Sequence, residues 1–156
     1  MDQQQLSKIL AYQNEDVISR FTDMMDIGQP EAEDIFNETK KFLYLSQVPD
    51  IFIPDELLII DEMWHNFVLF TKDYHLFCLD NFGRFVHHQP ATYKEKQAYR
   101  EKKQIDAEAT TAEFNQKLET MLSATYDHLG QDTVVKWFGT YPQQYSPENI
   151  KSIRKY

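Results

Sequence analysis

The sequence predicts an all-α fold: one bundle of about six or seven helices around a central apolar helix, residues 55–70. Three observations predict it. Apolar residues recur at three- and four-residue spacing along most of the chain, and no segment alternates as a half-buried strand would. Four glycines and six prolines in 156 residues leave room for long helices and short connections. An apolar content of 42% with 14% aromatics suits a packed core, not a disordered chain. The length fits a single domain, 1–156.

The elements follow in order. Residues 3–13 predict a first helix with a weak face of Leu6, Ile9, Leu10 and Tyr12. Asn14 can cap a second, whose first turn holds Glu15 and Asp16 where the helix dipole favours acids. Gly28 ends it, and Pro30 opens a third that runs to about Gln47 over Ile35, Phe36, Phe42 and Leu43. A loop with two prolines leads to Asp55–Phe70, which is apolar nearly all round. Thr71 is the expected cap of the next helix, and Gly83 its stop. Arg84–Pro90 reads as an extended connection. Residues 94–109 are charged and lack an apolar stripe, which predicts a solvated, mobile helical segment. Thr111–Leu129 is amphipathic and ends at Gly130; Val134, Val135, Trp137 and Phe138 form another apolar patch. Ser146-Pro147-Glu148 starts a short terminal helix.

The formal charge of −9 is uneven. Residues 1–62 carry 14 acids against 4 bases, and residues 63–156 carry 11 against 12. An acidic front half disfavours nucleic acid, which needs a basic patch. Cys78 is the only cysteine, so no disulfide can form within the chain; none to a partner is expected either. The first residues lack the pattern of a signal peptide, and the longest apolar runs fall far short of a membrane span. These features predict a soluble, cytoplasmic protein away from membranes.

The stretch Ile60–Pro90 holds four of the five histidines and the cysteine. Asp61 and His65 stand four apart, one above the other on a helix, so the carboxylate can orient the imidazole or share a metal with it. His75 and Cys78 lie three apart on the following helix. His87 and His88 arrive on a loop whose alternation turns one of them inward. Imidazole, thiolate and carboxylate together suit zinc or iron, although no compact ligand motif such as Cys-x-x-Cys is present. The competing expectation is structural: His65 held by Asp61, Cys78 a small buried apolar side chain, and Trp64, Tyr74, Phe77, Phe82 and Phe85 as core.

Asp61-x-x-Trp64-His65, followed by Leu69, Tyr74, Cys78, Gly83 and His87-His88, resembles the signature block of the glycine-rich domain protein-like family. The resemblance covers about the middle third of the chain and, more loosely, the KFLYL helix before it. It implies a shared helical fold and leaves the activity open. Two features depart from that family's pattern: Phe67 stands where many members have a second histidine, and no glycine-rich tail follows. Two function classes remain. One is a binding protein whose Asp61, His65, His75, Cys78, His87 and His88 take a metal or small ligand, with enzymatic activity as an extension of it. The other is a structural or adaptor module with a protein partner.

Overall fold

The computed structural model describes residues 2–156. Every regular element among them is helical: α1 Gln3–Ala11, α2 Glu15–Met24, α3 Gln29–Leu45, α4 Leu58–Val68, α5 Thr71–Phe82, α6 Tyr93–Ile105, α7 Ala107–Leu129, α8 Gln131–Val135, α9 Tyr141–Gln144 and α10 Pro147–Ile153. The sole extended contact among the described residues is an isolated antiparallel bridge between Met25 and Arg154, which ties the end of the chain to the end of α2.

Local chemistry sets most boundaries. The Asn14 side chain accepts from the amides of Asp16 and Val17 at the start of α2, and Ser146 Oγ accepts from Asn149 at the start of α10. Thr92 and Asp106 cap α6 and α7 in the same way. Gly83 ends α5 at φ 68°, a left-handed turn that costs glycine nothing.

Three expectations are corrected. The helices outnumber six or seven because the last quarter of the chain is cut into short pieces. Gly130 breaks it at φ 89°, a π-helical turn spans Lys136–Thr140, and Pro147 restarts it. Residues 55–70 are not one helix: a 3-10 turn, Asp55–Leu57, precedes α4, which stops at Val68. Thr71 is not the cap of α5; Phe70 occupies that position without a side-chain bond, and Thr71 is the first helical residue.

The core is shared between α3 and α4. α3 packs against α1, α2, α4 and α7, while α4 packs against α2, α3 and α5. Ile35, Phe36, Phe42, Leu43, Tyr44 and Leu45 of α3 meet Ile59, Ile60, Met63, Trp64 and Phe67 of α4, all buried. Residues 94–109, expected as a solvated, mobile helical segment, fall in α6 and the first turn of α7. α6 packs on α7 and buries none of its residues.

Candidate functional site

The histidine block is organised by Tyr74, which is fully buried on α5. Trp64 Nε1–H donates to the Tyr74 hydroxyl at 3.0 Å, and that hydroxyl donates to the Val86 carbonyl. This chain joins α4, α5 and the connection after Gly83. Burial raises the Tyr74 phenol far above its ordinary value, so it remains a donor at any physiological pH. Gly83 turns the chain so that Phe85 lies edge-on to Tyr74, with ring centroids 5.3 Å apart.

His88 then reaches Trp64. The two rings stack with centroids 4.0 Å apart at 23°, and His88 Nε2 lies 3.2 Å from Asp61 Oδ1. The carboxylate therefore orients the loop histidine, and no hydrogen bond joins it to His65 on its own helix. That corrects the expected Asp61–His65 unit. Helical spacing brings two residues near each other, but Asp61 is better satisfied by an imidazole held flat on Trp64. His65 is exposed, with its ring 6.1 Å from that of His88.

The remaining expected donors are dispersed. His75 and His87 are exposed and flank the Phe85 ring at 5.8 and 4.9 Å. Cys78 is fully buried, and burial raises its thiol above the ordinary value against the opposing pull of the Val86 backbone and the Tyr74 hydroxyl. It stays protonated, the form that neither attacks nor ligates. Among the described residues, no group of three or more His, Cys, Asp or Glu side chains is placed to hold a metal ion. The shared shell expected for zinc or iron is not assembled. Loop alternation turns His88 in and His87 out, and the core takes Cys78.

Two polar clusters escaped the sequence reading. Glu38 is 2% exposed and accepts from Trp137 Nε1–H at 2.9 Å; Lys41 and Lys136 lie 3.0 and 3.4 Å from its carboxylate. Lys136 also bridges to Asp34 at 2.8 Å, and Tyr145 donates to Glu31. Lys40, 1% exposed, donates to the carbonyls of Leu10 and Tyr12 at 3.0 and 2.5 Å, capping the C-terminal end of α1 from inside the core. Burial brings its ammonium down to about 8. The available signal was position: Glu38 and Lys40 stand among the apolar slots between Ile35 and Phe42, where a solvated charge does not belong. An open cleft of about 540 Å³ between α2 and α3, lined in part by Glu15, Ile18, Glu33 and Phe36, contains none of the expected site residues.

No curated protein and no solved structure matches this chain. The pattern of the UCP032817-like family matches residues 10–107, the stretch from the end of α1 through α6 that includes the whole histidine block. With most of its length matched, the chain belongs to the UCP032817-like family.

Proposed function

We propose that this protein is a non-catalytic binding module. Its histidine block braces a helical body, and α6 is the arm that meets a protein partner. One observation carries this reading: α6 is thirteen residues long and buries none of them. A helix that buries nothing gains little from tertiary packing. Its caps at Thr92 and Asp106 and its pairing with α7 hold it in shape. Tyr93, Tyr99 and Ile105 are 76, 52 and 86% exposed there, and exposed aromatic side chains are common anchors of protein interfaces.

The block from Asp61 to His88 fits a structural role. Its buried centre is tied together by the Trp64–Tyr74–Val86 chain, and Asp61 sits against His88. The resemblance to the glycine-rich domain protein-like family is compatible with this reading, since its Trp64, Tyr74 and Cys78 are buried here in the core.

The test compares the full chain with a Tyr93→Ser/Tyr99→Ser/Ile105→Ser variant as immobilised bait in native extract. Partners retained by the first should be lost by the second, with helical content and thermal midpoint unchanged. Equal recovery by both removes α6 from the reading. Metal analysis of protein purified without a histidine tag addresses the competing class: a stoichiometric metal would restore it.

A further inference from the structure

We infer that the outward face of α6 is a docking stripe for a short acidic helix of a partner protein, an inference that rests on the binding-module reading and adds the partner's chemistry. In the sequence, the charges of residues 93–105 look mixed: Lys94, Lys96, Arg100, Lys102 and Lys103 with Glu95 and Glu101. On the helix they separate. At about 100° per residue, Tyr93, Lys96, Tyr99, Arg100 and Lys103 fall within about 120° of the circumference, and both glutamates lie outside that arc. The other side is turned to α7, as the ion pair between Lys102 and Glu113 shows. Glu95 is occupied at the cap, accepting from Thr92 Oγ1 at 3.0 Å. Among the described residues, Lys96, Arg100 and Lys103 form no salt bridge.

The stripe is thus cationic, edged by tyrosines and free of acids, on a chain whose formal charge is −9. Its shape selects the occupant. Positions 96, 100 and 103 follow four-then-three spacing, which matches carboxylates at the same spacing on a facing helix. The row from Tyr93 to Lys103 spans only about 15 Å, the length of a short helix. An extended nucleic acid would engage few cations here, and its remaining phosphates would run past an acidic body. A short acidic helix meets the stripe alone.

The experiment uses the full chain and three fluorescent probes. One is a helical peptide of glutamate, alanine and leucine with glutamates at i, i+4 and i+7. The second has lysine in place of glutamate. The third is a single-stranded oligonucleotide of equal charge to the first. The acidic peptide should bind saturably, weaken as salt rises, and lose at least about tenfold in affinity in a Lys96→Glu/Arg100→Glu/Lys103→Glu variant. Circular dichroism should show that variant to be as helical as the parent. Failure of the acidic peptide to saturate, or its indifference to the charge reversal, overturns the inference. Tighter binding of the oligonucleotide overturns it in favour of nucleic acid. Self-association that the reversal abolishes overturns it in favour of a second copy, whose front half is acidic. If the serine variant of α6 loses its partners while the charge reversal keeps them, the arm stands and only the acidic chemistry falls.

Discussion

Asp61 has two imidazoles within reach of its helix and lies 3.2 Å from the one that comes from the loop. His88 is held flat by Trp64, so little side-chain entropy remains to be lost when its Nε2 meets the carboxylate. Asp61→Ala and His88→Ala should therefore be non-additive in chemical denaturation, with a coupling of about 0.2–1 kcal/mol suited to a partly exposed pair. Asp61→Ala with His65→Ala should simply add. The reverse pattern would return the carboxylate to His65. Lys40 supplies a second test at this scale. Its folded value of about 8 lies below the ordinary 10.5. Between those limits the unfolded chain holds the extra proton, so stability contributed by this group rises with pH across the window and is at its lowest below it. Wild type should gain on Lys40→Met between pH ~8 and ~10.5. The mean offset between the two reports the orphaned carbonyls of Leu10 and Tyr12; the slope reports the ammonium, and a constant offset would mean that burial does not depress it.

The two ends of the chain's helical order are α4 and α6. α4 buries Ile59, Ile60, Met63, Trp64, Asn66 and Phe67, and even its polar Asn66 is satisfied, donating to the Val17 carbonyl and accepting from Arg20. α6 buries nothing and relies on caps and on α7. Local opening free energy follows buried contact density. Amide exchange should therefore be fast in Tyr93–Ile105 and slow in Leu58–Val68; comparable protection would show that α6 is held by contacts beyond α7. Several element boundaries were legible in sequence because caps are local, although α2 stops at Met24, short of the expected Gly28. Asn14, Gly83 and Ser146 act on amides or carbonyls within a few residues. Thr71 was misread because Phe70 takes the cap position without supplying a bond, a choice set by how the chain leaves α4.

Across the whole molecule, the C-terminal helices are clasped to α3. Trp137 is fully buried against Phe42 and donates to Glu38, while Lys136 spans Asp34 and Glu38. Tyr141 packs beside them with its hydroxyl buried and unpartnered. Burial, then the neighbouring carboxylates, raise its phenol far above the ordinary 10.0, and burial does the same for Tyr74 and Tyr145. Raised values mean stability that is complete below pH ~10 and lost above it, because unfolded tyrosines ionise while folded ones do not. Tyr141→Phe should leave stability at neutral pH unchanged or higher, since it deletes a hydroxyl that has no bond to lose. It should also make the alkaline loss shallower. A drop of more than ~1 kcal/mol at neutral pH would show that the hydroxyl has a partner after all.

The helical class and the helix ends at Asn14, Gly83 and Ser146 were determined by the sequence alone, because period and capping act within a turn or two of the chain. The block from Asp61 to His88 was also marked there as a unit, and α4, α5 and the connection after Gly83 do meet around Tyr74. Its internal pairing was not determined, because Asp61 chooses between a neighbour on its own helix and a ring delivered by a distant loop. Glu38 and Lys40 likewise look like misplaced surface charges until Trp137, Lys136 and the end of α1 close over them. Most buried polar groups find a partner, and only the tertiary structure decides which groups are buried together.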